Sequence, residues 1–313
     1  MRVAVIDCGT NTVRLLIADG DGADLVDVVR ELKFVRLGQD VDANRRFHPD
    51  ALRRCFAVLD QYALTIATAS VEKVRFVATS AVRDVSNREE FFDGVRRRLG
   101  IDPEVIDGAQ EAELSFLGAL SGGPVKSGAA AVLVMDIGGG STELVLGTPK
   151  GQIDHMASLD IGSVRIRERF LTHDPPTTRE VETARQFVAA LIDQSGLLRD
   201  RVDRWIGVGG TSTSLSAINL GLGTYDPSLV HNSAIDVAGI ESLSRRLLDL
   251  SVADTIRAYP TLQPMRAEVI CAGGLIAAEV AVRADCEMLV RETDILDGAA
   301  LRLMTEENNP DDL

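Results

Sequence analysis

Apolar residues fall into two kinds of stretch along this chain: short unbroken runs, and longer segments in which they recur at helical spacing. The runs predict buried strands and the periodic segments amphipathic helices. Residues 3–18 read as two strands joined by a polar, Gly-containing turn, and a third strand follows near Leu25–Arg30. Between Asp50 and Ser70, Leu52, Cys55, Phe56, Leu59, Ala63 and Ile66 keep helical spacing behind Pro49, a residue suited to a first helical turn. Lys73–Ala78 reads as a strand, Arg88–Leu99 as a helix, Pro103–Ile106 as a strand and Gln110–Leu120 as a helix. Ser121-Gly122-Gly123-Pro124-Val125-Lys126-Ser127-Gly128 has no apolar period and is the best linker. The pattern then restarts, with strands over 130–136, 143–147 and 152–159, a helix from Val164 and another over Thr178–Ser195. A buried strand Trp205–Val208 and a Gly-rich turn follow, with helices to the end.

The restart is visible residue by residue. Val5–Ile17 aligns without a gap on Val134–Leu146, keeping Asp7 with Asp136, Gly9 with Gly138 and Leu15 with Leu144 in register. A single Gly-rich hairpin is ordinarily only a tight turn; its repetition asks for more. Glycines let main-chain N–H groups converge on one concavity, and Thr or Ser hydroxyls add donors, so each turn suits an anion. The Asp closing the first strand of each hairpin is placed to hold a cation or a water beside that anion. The copies part company at Arg14 and Glu143, opposite charges at equivalent places, which suggests one loop for phosphate and the other for metal. The first loop then offers Thr10, Asn11 and Thr12 as donors, Arg14 as counter-charge and Asp7 as a cation ligand. The second offers Gly138, Gly139, Gly140, Ser141 and Thr142 to phosphate, with Asp136 and Glu143 as the carboxylates that Mg²⁺ prefers. Gly207–Thr213 repeats the strand–glycine–hydroxyl–helix order and presents Gly209, Gly210 and Thr211 at a helix N-terminus; Val269–Gly274 does so once more.

Three hairpin-forming strands followed by alternating helices and strands, done twice, predict an α/β protein of two ribonuclease-H-like domains, 1–122 and 123–313, with a cleft between them. The last helix is free in this reading to pack back on the first domain. Thr79, Ser80 and Arg83 follow the Lys73–Ala78 strand, at the carboxyl end where open α/β sheets bind ligands. Glu111 and Glu113 open the next helix; two positions apart, they cannot share a face. A carboxylate facing a phosphate site needs a purpose, and activating water as a general base is the obvious one. Which of the two does so is open from the residues alone.

Composition narrows the classes. The 313 residues are enough for two domains with separate cores. The net charge of −14 argues against a nucleic-acid-coating surface, although a locally basic cleft still accommodates a polyanion. Of the 33 basic residues 29 are Arg, whose planar fork matches phosphate oxygens. Cys8, Cys55, Cys271 and Cys286 are scattered without metal spacing and read as reduced and buried. The apolar stretches, such as Ala129–Met135, are far too short to cross a bilayer, and the chain enters a strand at Val3 with no leader. The reading is a cytoplasmic protein with neither membrane nor nucleic-acid partner.

These motifs together resemble the exopolyphosphatase/guanosine-pentaphosphate phosphohydrolase (Ppx/GppA) family of the actin-like phosphotransferase superfamily. The residues that carry the resemblance are 6–16 (IDCGTNTVRLL), 78–84 (ATSAVRD), 108–114 (GAQEAEL), 136–144 (DIGGGSTEL), 158–170 (SLDIGSVRIRERF), 207–217 (GVGGTSTSLSA) and 270–274 (ICAGG). The resemblance implies two actin-like domains with an interdomain cleft, dependence on Mg²⁺ (with Mn²⁺ as alternative) and hydrolysis of terminal phosphoanhydrides. It also implies Glu111 as catalytic base, Arg83 as phosphate-binding catalytic residue, and Asp136 and Glu143 as metal carboxylates. Thr at 10 and 12 replaces the commoner Ser, and Gln110 replaces an acidic residue. Long members add a C-terminal helical domain of His-Asp type, whereas this sequence stops at Leu313, so the expectation is a short form. The expected activity is that of an exopolyphosphatase acting on inorganic polyphosphate. Hydrolysis of the 5′ γ-phosphate of guanosine pentaphosphate is the alternative, and a non-catalytic alarmone or polyphosphate sensor the alternative of another class. A sugar- or acetate-type kinase also fits the fold, and Glu111 speaks against it. Family analogy adds a homodimer. Arg14, Arg83, Arg165, Arg167 and Arg169 are the candidate lining of a short basic channel that favours short to medium chains, although the last three cannot all face one groove.

Overall fold

A computed structural model describes residues 1–124, 128–199 and 201–306; Val125, Lys126 and Ser127 of the candidate linker lie outside the described residues. The chain divides into two compact units, Met1–Ser121 together with the segment from Asp294 onward, and Gly122–Thr293.

The first unit is a five-stranded sheet in the order β3-β2-β1-β4-β5. Its strands are β1 (Arg2–Cys8), β2 (Thr12–Gly20), β3 (Leu25–Phe34), β4 (Lys73–Ala78) and β5 (Glu104–Val105). β1 pairs antiparallel with β2 and β2 with β3, while β4 lies parallel to β1 and β5 to β4. Side chains alternate across a strand, so β1 serves two cores. Ala4, Ile6 and Cys8 face Leu52, Cys55 and Leu59 of the helix Pro49–Thr68. Val3 and Val5 face Ile295, Leu296, Ala299, Ala300 and Met304 of the helix Ile295–Thr305. Burial on both faces explains why these strands read as unbroken apolar runs rather than alternating ones.

The second unit holds a six-stranded sheet in the order β10-β11-β9-β6-β7-β8. It is built from β6 (Val132–Ile137), β7 (Thr142–Gly147), β8 (Ile153–Leu159), β9 (Arg204–Val208), β10 (Ala234–Ile235) and β11 (Met288–Val290). Read from β8, the order β8-β7-β6-β9-β11 repeats the first sheet, and β10 is an added antiparallel edge. Each unit is thus a ribonuclease-H-like α/β domain. The expectation of helices alone after Val208 is corrected: β10 and β11, of two and three residues, are too short to leave a periodic signal. Val269–Gly274 also needs correction as an anion turn. It enters the buried helix Ile270–Ala284, where Gly273 packs so closely on Thr211 that an added Cβ would lie 2.5 Å from Thr211 Cγ2.

In the first unit the last helix crosses the helix Gly108–Ser121 at a pair of glycines. A Cβ on Gly118 would stand 1.7 Å from Asp294 O, and one on Gly298 would stand 2.0 Å from Leu114 O. Only glycine permits that backbone approach. Gly298→Ala gains about 1 kcal/mol of helix propensity, but the overlap with Leu114 O is the larger effect. We expect a net loss of about 1–3 kcal/mol by chemical denaturation. A more stable variant would show that the two helices separate without penalty.

Candidate active site

The first loop closes where Gly9 N–H donates to Thr12 O at 3.0 Å. Its carbonyls are held by the segment that follows β3. Thr10 O accepts Gly38 N–H at 2.8 Å, and Asn11 O accepts Val35 N–H at 3.0 Å and Arg36 N–H at 2.9 Å. Thr10 Oγ1 lies 2.9 Å from Ser80 Oγ, so the hairpin turn and the start of the Ser80–Arg83 helix share a hydroxyl pair. Asn11 is buried, and its side-chain Nδ2 has no hydrogen-bond partner among the described residues. A buried amide donor without an acceptor is costly unless a ligand or water completes it.

Asp7 and Arg14 face each other across the hairpin. Arg14 donates to Asp7 Oδ2 from Nε at 2.9 Å and from Nη2 at 2.7 Å, and bonds Asp294 Oδ2 through Nη1. Asp294 also caps the last helix, accepting Leu296 N–H at 3.0 Å, and its neighbour Asp297 pairs with Arg30 on β3 at 2.6 Å. Burial holds the Asp7 carboxyl above its usual range, against the downward pull of Arg14. Both expectations meet a competing partner here: Arg14 shares its single charge between two buried carboxylates, and Asp7 spends Oδ2 on that guanidinium while its buried Oδ1 has no hydrogen-bond partner among the described residues.

Arg83 ends the short helix after β4. Its Nη1 donates to Ile106 O at 2.8 Å and to Glu111 Oε2 at 3.0 Å. Glu111 is buried in the first turn of its helix. That turn is fixed by Asp107, whose Oδ1 accepts the N–H groups of Ala109 and Gln110 at 2.9 Å, while Gln110 Oε1 accepts Asp107 N–H at 3.0 Å. Gln110 therefore completes a capping box, a role open to Gln as much as Glu. Glu113 points elsewhere: it is more exposed, 3.5 Å from Arg302 on the last helix.

The second loop repeats the closure, with Gly138 N–H donating to Ser141 O at 3.0 Å. Asp136 and Glu143 occupy the places of Asp7 and Arg14, directly opposite across β6 and β7 and on one face of the sheet. Glu143 is buried and accepts Ser158 Oγ at 2.8 Å; Asp136 is half-buried. Gly209 begins the helix Gly209–Asn219 with φ +72°, and a Cβ there would lie 2.3 Å from Asp136 Oδ1, so glycine lets the helix N-terminus meet the carboxylate. Arg266 Nη2 lies against Gly210, within 2.1 Å of where its Cβ would be. The hydroxyl protons expected to reach phosphate are spent on main chain at two positions. Thr211 Oγ1 donates to Ile137 O at 3.0 Å, and Thr142 Oγ1 donates to Ile161 O. Among the described residues no three His, Cys, Asp or Glu side chains gather as a metal site, and no helix is long and apolar enough to cross a membrane.

The family model of the Ppx/GppA phosphatases matches residues 16–302. This chain belongs to that family. Exopolyphosphatase 2 of Mycobacterium tuberculosis is 44% identical over 96% of this chain and 98% of its own length. The crystal structure of an exopolyphosphatase-like protein, 39% identical, superposes with a TM-score of 0.91 over 98% of this chain and 100% of that one. The Aquifex aeolicus Ppx/GppA family member, 30% identical, gives a TM-score of 0.83 over 99% of both chains. In this Ppx/GppA chain Asp294, Arg266 and the Val35–Gly38 segment stand outside the sequence motifs, and Ser158 opens the 158–170 motif with no role assigned to it. Only Asp294 left a local signal, its helix-capping spacing to Asp297.

The buried Asp7–Arg14–Asp294 group yields a test. Arg14→Gln strands two carboxylates and should lower unfolding free energy by about 3–5 kcal/mol in urea. A loss below about 1 kcal/mol would show that the charges find water instead.

Proposed function

We propose that this Ppx/GppA chain is an exopolyphosphatase, releasing terminal phosphate from inorganic polyphosphate. The observation that carries the reading is the match, over nearly the full length of both chains, to a protein named exopolyphosphatase 2. The chemistry of the residues supports it. Glu111, held by Arg83 at 3.0 Å, is a buried carboxylate suited to orienting a water and taking its proton. The water oxygen bonds to the terminal phosphorus as the bridging P–O bond breaks, and the shortened chain leaves with the charge. Arg83 and the loop amides offset the negative charge that grows in that step.

Asp136 and Glu143 suit Mg²⁺. Like charges directly opposite on one face of a sheet are unfavourable, and in the equivalent place of the first loop an Asp meets an Arg instead. Two hard carboxylate ligands on one face suit a divalent cation, which would in turn neutralise phosphate oxygens. Phosphate release from polyphosphates of defined length, measured beside guanosine pentaphosphate, tests the substrate. Faster turnover of guanosine pentaphosphate would move the assignment to the nucleotide.

Glu111→Gln is expected to lower kcat by about 10²-fold or more with little change in binding, as for loss of a general base. Glu113→Gln should stay within about twofold, since its partner is the half-exposed Arg302. Reversed results would transfer the role to Glu113. Asp136→Ala or Glu143→Ala should abolish activity together with its Mg²⁺ response, read as phosphate release against Mg²⁺ concentration. Normal Mg²⁺ saturation in either variant would place the cation elsewhere.

A further inference from the structure

Three consecutive carbonyls of the second loop are bonded to one segment, the turn and helix that follow β8. Gly138 O accepts Ser163 N–H at 2.9 Å and Ser163 Oγ at 3.1 Å. Gly139 O accepts the N–H groups of Val164 at 2.9 Å and Arg165 at 3.1 Å. Gly140 O accepts Arg165 Nε at 2.9 Å. Gly162 lets this segment come so near, since a Cβ there would lie 2.2 Å from Gly139 O.

In a trans peptide the carbonyl and the following N–H point to opposite edges of one plane. Anchoring the carbonyls of 138, 139 and 140 therefore turns the N–H groups of Gly139, Gly140 and Ser141 the other way. Among the described residues none of those three N–H groups has a protein acceptor. Successive N–H groups turned to one side form an anion nest. The first loop achieves the same with main chain alone, Thr10 and Asn11 being held by Val35, Arg36 and Gly38. At the place equivalent to Asn11, the anchor of Gly140 O is a side chain. Arg165 is only 8% exposed, so the expectation that it lines a basic channel is corrected.

We infer that Arg165 is a positioning residue: its guanidinium fixes the 140–141 peptide so that Ser141 N–H faces the substrate phosphate. This deepens the proposed phosphatase function and rests on it. Without the guanidinium, the 140–141 peptide has no other anchor among the described residues and can turn its carbonyl toward the anion.

The test is calorimetric binding of inorganic tripolyphosphate to the wild-type chain and to Arg165→Ala, with phosphate release, thermal midpoint and added methylguanidinium followed in parallel. Affinity should fall roughly tenfold, as for loss of a hydrogen bond to a charged group. The ratio kcat/KM should fall by roughly 10²-fold, as for loss of one oxyanion donor. Methylguanidinium should restore part of both in the variant and change neither in the wild type. Unchanged affinity would overturn the inference. So would a loss that follows a lowered thermal midpoint and that methylguanidinium does not repair. If the wild type binds tripolyphosphate but releases no phosphate from it, the phosphatase reading fails, while the affinity ratio still decides the role of Arg165.

Discussion

A peptide group cannot point its carbonyl and its N–H the same way, and both loops of this protein depend on that constraint. A loop meant for an anion must send its carbonyls somewhere else. Here they go to the segment that leaves the third strand of each unit, Val35–Gly38 after β3 and Ser163–Arg165 after β8. The antiparallel third strand returns the chain to the end of the sheet where the hairpin turns, so the anchor arrives beside the loop it must hold. The topology of three consecutive antiparallel strands is in this sense part of the site.

The two loops close in the same way, but the charges set across their strands differ. Asp7 opposite Arg14 is self-contained, and the arginine is further spent on Asp294. Asp136 stands opposite Glu143 and beside the N-terminus of the helix Gly209–Asn219, whose dipole favours negative charge. One hairpin sets opposite charges across its two strands and the other sets like charges there. The cross-strand partner thus distinguishes two otherwise similar turns.

The fold class and the main elements were legible because apolar runs and helical periods are local, and because the repeat supplied a second reading of each. β10 and β11 were not, since two or three residues carry no period. Arg83 and Glu111 stand in local motifs, and the fold brings them within 3.0 Å. The partners of Arg14 and Arg165 could not be read in the same way. Asp294 is 280 residues from Arg14, and the Gly140 carbonyl that Arg165 holds is indistinguishable in sequence from any other glycine's. Surface arginines and buried ones look alike until the acceptor is known. A sequence shows which side chains carry charge; it does not show which charges are already spent.

The helix Ile295–Thr305 completes the core of the first unit, placing Ile295, Leu296, Ala299, Ala300 and Met304 against β1 and β2. It also leaves a ribosome after all of residues 1–293. Residues 1–121 therefore emerge early but wait, with one core of their sheet lacking its last helix, while Gly122–Thr293 is synthesised in full and has all of its own core to hand. The unit that begins the sequence is the second to be able to finish folding. Until it does, Asp7 and Arg14 lack Asp294, and the first hairpin rests on an incomplete set of charges.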